Sequence, residues 1–409
     1  MADREVDFLL IGGGVASASC ARTLREEGAE GSILLVGRES DPPYQRPPLS
    51  KTYLAGKMER GEAGFLDEGW FGENGVEVAT RTSVMKLDAE ARVAKLSTKE
   101  EVRFDKALIA TGANVRRLRV DGSDLDGLHY LRAFGNADAI REDAHEGSKV
   151  VLIGGSYIAC EIAATLTDCG CDCSLLMLEE VTLERHFGLE CGGFVRNLLL
   201  DHGVRVHGSD ELDRFEGADG RVTKVISKGG LELEADCVVL GTGVVPDVMV
   251  ARQAGLELGE GGGVKCSAQL ETSVPGIFAA GDVAEWNSPL HDGPTRVEHF
   301  EVAVAHGKTA ARNMLGQGVE HDEVPYFWSD LSDWATLEYV GVGSGDSEVP
   351  RGSIEGGDFT TFYLDGDRVV AALTAGRSDD LDHARRMIKD RTAPGRDKLA
   401  DESTDLASL

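Results

Sequence analysis

Positive charge is scarce in this sequence: 42 lysines and arginines stand against 71 aspartates and glutamates, a formal net charge of −29. A phosphate-rich partner needs a basic face, so nucleic acid is excluded as the default ligand. Long apolar runs are missing too. None approaches the roughly 18 residues of a membrane-spanning helix, and the opening MADREVD is acidic with no apolar signal segment. Cysteine is sparse, eight in 409 residues, unlike the density of a secreted disulfide scaffold. CGCDC, 169–173, has no CxxC spacing and no second cluster, so it reads as small buried residues at a helix end rather than a metal site. These absences lead us to expect a packed, cytoplasmic protein with no metal, membrane or nucleic-acid partner. At about 150 residues per domain, the length points to two or three domains. One run goes against the charge trend. HARRMIKDRTAPGRDK, 383–398, reads as a solvated helix face and tail, or as a local patch for an acidic partner.

Glycine, by contrast, is abundant at 51 residues, and two glycine turns carry the chemistry. VDFLLIGGGVASASCARTLREEG, 6–28, reads as a strand over 8–11, a tight turn at Gly12, Gly13 and Gly14, and a helix over 16–25 that Gly28 ends. Such a turn needs backbone angles that a side chain opposes, and a pyrophosphate must approach the backbone closely. The helix then aims its free N–H groups at the anion. Ser17, at the third glycine of the dinucleotide fingerprint, is small enough to keep helix and strand close. The next strand, in GSILLVGRES, 31–40, ends in charge. Glu39 is the candidate for the ribose hydroxyls, although Arg38 stands where the acid is expected.

The pattern recurs in SKVVLIGGSYIACEIAATLTDCG, 148–170. Gly154 and Gly155 are present, Ser156 replaces the middle glycine, and Ala159 replaces the last. A serine Cβ hinders phosphate approach slightly. After the helix comes CSLLMLEE, 173–180, with Met177 at the usual acid position and Glu179 two residues on. A carboxylate there accepts from a ribose and repels a 2′-phosphate, favouring NADH over NADPH. Two dinucleotide turns point to two dinucleotides, FAD and a nicotinamide, and to hydride transfer between them.

The ordered phrases LLIGGG, PPYQRPPLSK, ALIATGA, VVLIGGSYIACEIA, VVLGTGVVPD, GIFAAGDVA, RVEHFEVAVAHGKTAARNMLG and PYFWSDL cover almost the whole chain. With them the sequence resembles the FAD-dependent pyridine nucleotide reductases of the ferredoxin-reductase type. Within that group it is most similar to apoptosis-inducing factor and its bacterial relatives. The resemblance implies that Arg46 contacts FAD, that Pro47 and Pro48 fix an extended path, and that Lys51 sits by flavin N5 and pairs with Glu161. A cation there stabilises the reduced ring. Gly12, Gly14 and Ala16, then Ala110, Thr111 and Gly112, and also Gly281 and Asp282, are placed on FAD. Gly154, Ser156, Tyr157, Ile158, Glu161, Glu179 and Gly243 line the nicotinamide side. Glu298 and His299 lie at a helix start near the cofactor, and Trp328 covers the flavin edge while Phe327 is core. Disulfide reductases of similar architecture carry a redox cysteine pair in the region where this chain has none from Cys20 to Cys160. Dithiol relay then lacks its first step.

The expected fold is α/β, with two Rossmann-like dinucleotide-binding domains for FAD and NAD and a C-terminal α+β domain. Residues 1–113 and 241–320 would form the FAD domain, 114–240 the NAD domain and 321–409 the C-terminal domain. Within the last, 358–376 reads as a hairpin, and KLADESTDLASL is polar enough to be poorly ordered. The favoured function is an NADH-dependent flavoprotein reductase that passes electrons to a ferredoxin-type iron–sulfur carrier, as a monomer or homodimer. The alternatives are a redox-responsive interaction protein that oxidises NADH slowly, and an NADH reductase of a quinone or other small acceptor.

Overall fold

The computed structural model describes residues 2–291 and 293–409, and the chain forms two compact units. The first comprises Met1–Gln45, Gly61–Asn114 and Val245–Pro325. Its main sheet runs Val76–Ala79, Ile33–Val36, Arg4–Ile11, Glu101–Ile109, all parallel. Ile277–Ala279 pairs parallel with the end of Glu101–Ile109, while Val93–Leu96 and Val84–Asp88 continue antiparallel from its start. The central segments are continuous apolar runs because parallel strands are covered on both faces; Ile33–Val36 is buried throughout. Two helices, Val15–Glu26 and Phe300–Met314, pack on each other. They approach closely at Gly307, where a Cβ would lie 2.3 Å from the carbonyl oxygen of Ala16.

The second unit comprises Arg46–Arg60, Val115–Val244 and Tyr326–Leu409. It holds a parallel sheet in the order Arg205–His207, Asp172–Leu176, Lys149–Ile153, Cys237–Leu240, Leu128–His129. It also holds an antiparallel sheet in the order Tyr326–Leu331, Ala335–Gly341, Arg368–Ala375, Asp358–Asp365, Ser347–Ser353. One apolar core is continuous through both: Leu152 and Ile162 belong to the same cluster as Leu331, Phe359 and Leu54. That shared core is why 46–60, placed with the first domain on sequence grounds, belongs to this unit. Among the described residues no helix is long and apolar enough to cross a membrane.

Two local expectations are corrected. Pro47–Ser50 is a 3-10 helix rather than an extended path, with Arg46 in the right-handed helical region. Proline's fixed φ suits the first turn of a helix as well as it suits extended chain. The polar tail is docked, with a helix at Arg396–Ala400 and a 3-10 turn at Leu406–Ser408. Its main-chain carbonyls satisfy arginines, a demand that side-chain polarity does not reveal. The buried Arg351 donates to the carbonyls of Leu399, Asp401, Glu402 and Thr404, and Arg386 donates to those of Leu406 and Leu409.

Candidate functional site

In the first unit the strand Arg4–Ile11 ends in Gly12, whose φ is +129°. A Cβ there would sit 2.1 Å from the carbonyl oxygen of Ala110, so the fold itself requires glycine. Gly14 caps the helix Val15–Glu26 with ordinary extended angles, and nothing lies within 4 Å of where its Cβ would be. The place a Cβ would take at this helix N-terminus is therefore unfilled, which fits the close approach of a pyrophosphate to the backbone. Gly281, at φ +73°, packs over Ala16 and Ala303. Asp282 is half-buried, and His299 caps the helix Phe300–Met314 after Glu298, which pairs with Arg296.

Charge at the end of Ile33–Val36 is sorted by partners. Arg38 donates to Asn114 at 2.7 Å and to Asp247 at 3.1 Å. Glu39 accepts from the Tyr44 hydroxyl at 2.6 Å. Thr111 and Gly112 are tied to the same Asp247 backbone, the Thr111 hydroxyl donating to its carbonyl at 2.7 Å and its N–H donating to Gly112 O at 2.8 Å.

Sequence reasoning missed His306. The Gly281 N–H donates to its Nδ1 at 3.2 Å, so the ring proton belongs on Nε2. Burial holds this imidazole well below its ordinary pKa, and the adjacent His321 is pushed down to about 4.

In the second unit the other turn repeats the first. Gly154 has φ +105°, and a Cβ would meet Gly241 O at 2.6 Å. Ser156 takes the helix-capping place with φ −81°, and its hydroxyl donates back to Gly241 O at 2.9 Å. Its side chain is therefore turned toward the protein. Tyr157 opens the helix Tyr157–Asp168 and packs on Phe327 at 4.9 Å between centroids, while Ile158 is exposed. Met177 is buried against Gly155, so the usual acid position points inward, and Glu179 pairs with Arg185 at 2.6 Å. Gly243, at φ +83°, has open space around it.

Glu161 is the hub of this unit, 4% exposed. Its Oε1 accepts from Lys51 Nζ at 2.8 Å and from the Ser329 hydroxyl at 2.7 Å; its Oε2 accepts from the Ser50 hydroxyl at 2.5 Å. Three donors, one of them a cation, make a buried carboxylate tolerable. Lys51 and Glu161 are brought together as the resemblance implied, while Ser50 and Ser329 were not foreseen. Strand alternation in YFWSDL was the available signal: Phe327, Ser329 and Leu331 are buried, and Tyr326, Trp328 and Asp330 are half-buried. Trp328 donates from Nε1 to Asp330 at 3.1 Å and stacks on Tyr326. Arg46 donates to the carbonyl of Arg132.

All eight cysteines are free thiols. Cys160, beside Glu161, is fully buried and its pKa is raised by desolvation; Cys171 is pushed up to about 11. Neither supplies a thiolate near neutrality. Cys169 is exposed, against expectation, because it is the C-cap of its helix.

Residues 6–307 match the family described as pyridine nucleotide-disulphide oxidoreductase, and residues 326–409 match a Reductase C-terminal domain. The biphenyl dioxygenase system ferredoxin–NAD(+) reductase component of Paraburkholderia xenovorans is 34% identical over 98% of this chain and 97% of its own. Apoptosis-inducing factor 3 of Homo sapiens is 30% identical over 90% of this chain and 60% of its own, less than the dioxygenase-system reductase, so the expected greater likeness to the apoptosis-inducing-factor side is not what these relatives display. A crystal structure of the covalent putidaredoxin reductase–putidaredoxin complex superposes with a TM-score of 0.93 at 31% identity, over 100% of this chain and 98% of that one. The chain belongs to the pyridine nucleotide-disulphide oxidoreductase family and ends in a Reductase C-terminal domain.

Proposed function

We propose that this protein is an NADH-dependent flavoprotein reductase that delivers electrons to a small ferredoxin-type carrier. The observation that carries it is the pair of glycine turns, each joining the end of a parallel strand to the start of a helix, in a chain with no thiolate pair to intervene. FAD, when bound, supplies hydride acceptance from the nicotinamide and the return of electrons one at a time.

The chain's own residues hold and polarise. Gly12, Gly14 and Ala16 let the helix N-terminus reach the FAD pyrophosphate, and Glu39 accepts from its ribose. Ala110, Thr111, Gly112, Gly281 and Asp282 hold the rest of that cofactor, with Glu298 and His299 near it. Gly154, Ser156, Tyr157, Ile158 and Gly243 take NADH. Glu179 accepts from its ribose and repels a 2′-phosphate. Arg46 steadies the flavin, Trp328 covers its edge, and Lys51 offers the cation that a reduced ring requires. Glu161 keeps that ammonium from wandering.

A carrier partner is supported by the relatives' names and by the crystallised complex. Within 383–398, Arg386 already serves the tail and Arg385 pairs with Asp382. A docking patch there would draw on arginines that already have partners within the chain. A cytoplasmic location suits eight free thiols.

Anaerobic addition of NADH should bleach the oxidised flavin band faster than NADPH does, and a ferredoxin should restore it. A fully flavinylated protein that ignores both nucleotides would end the assignment.

A further inference from the structure

Lys51 and Ser50 are neighbours in sequence, so both grip Glu161 from the same 3-10 turn. Thr165, one helical turn beyond Glu161, donates to the Ser50 carbonyl at 2.8 Å and fastens that turn to the helix. Ser329 is different. It reaches the same carboxylate from the antiparallel sheet, 168 residues away in sequence, and it shares Oε1 with Lys51.

We infer that Ser329 is a positioning residue for Lys51, registering the strand that carries Trp328 to the carboxylate that holds the ammonium. This rests on the assignment of Lys51 to the flavin. Ser329 is 1% exposed, so bulk solvent does not reach this hydrogen bond. Oε1 would then keep Lys51 alone, and the buried carboxylate could rotate with Ser50 as its other anchor. The strand would lose the hydrogen bond that Ser329 makes to Glu161, so Trp328 and Lys51 would cease to be fixed to one point.

The test uses the holoenzyme with Ser329→Ala, Ser329→Thr and Ser329→Cys. Readouts are flavin content, flavin midpoint potential, and stopped-flow reduction resolved into NADH affinity and limiting rate. Ser329→Ala should keep its flavin and an NADH Kd within about twofold, but lower the limiting rate by about tenfold, the value of one charge-assisted hydrogen bond. The potential should become more negative, because the cation is held less firmly. Ser329→Thr retains the hydroxyl and should restore both. Should the alanine variant be insoluble, Ser329→Cys keeps the shape with a weak donor and should show the same deficit. A limiting rate and potential unchanged in Ser329→Ala or Ser329→Cys would overturn the inference, as would a threonine variant no better than alanine. Wild-type protein that NADH cannot reduce would instead defeat the flavin assignment itself.

Discussion

The two glycine turns occupy the same place in two parallel sheets, yet they differ at one residue. Gly12 and Gly154 both have positive φ and both face a crossing backbone, at 2.1 Å and 2.6 Å for an added Cβ. Gly14 and Ser156 both cap a helix at negative φ. The first member of each pair is therefore dictated by the fold. The second costs the fold nothing as a side chain, so its identity reports on the ligand. Glycine at 14 leaves room for the closest approach, whereas serine at 156 spends its hydroxyl on Gly241. A fingerprint position can depart from glycine without loss of the site when the backbone angle there is ordinary.

That contrast can be broken at several points. Gly12→Ala should destabilise by more than about 3 kcal/mol, since both the angle and a backbone oxygen oppose the methyl group. Urea unfolding would show it, and a cost no greater than that of Gly14→Ala would dissolve the distinction. Acid adds a second difference, because the first turn's unit contains the buried His306 and His321. Both are neutral when folded and protonate more readily when unfolded, so the unfolded state binds more protons as pH falls. For His321, from an ordinary 6.5 to about 4, stability is complete above about pH 6.5 and declines toward pH 4 by on the order of 3 kcal/mol. Urea midpoints measured from pH 7 to 4.5 should fall less steeply in His321→Asn. Gly14→Ala should leave the fold within about 1 kcal/mol but weaken FAD binding about tenfold, read by flavin fluorescence on dilution. Smallest of all, Ser156→Gly should cost about 1 kcal/mol and change NADH affinity less than threefold by titration.

Much of the fold was legible because glycine turns, apolar parallel strands and the YFWSDL alternation each have a local cause. The pairing of Lys51 with Glu161 came from resemblance, since no local rule links residues so far apart in sequence. Ser50, Ser329 and His306 escaped for the same reason: their partners are 111, 168 and 25 residues away, and serine or histidine alone carries no signal. The Pro47, Pro48 path was misjudged because proline fixes one angle and leaves ψ open. Met177 directly follows the strand Asp172–Leu176, but only packing shows it turned onto Gly155.

The clasp of Arg351 on carbonyls 399 to 404 has a practical edge. A premature stop upstream of Leu399 would take those four carbonyls from a guanidinium on the edge strand Ser347–Ser353, leaving it Asp380 at 3.7 Å as counter-charge. Such a truncation should therefore destabilise the C-terminal sheet rather than act as the trimming of a loose end.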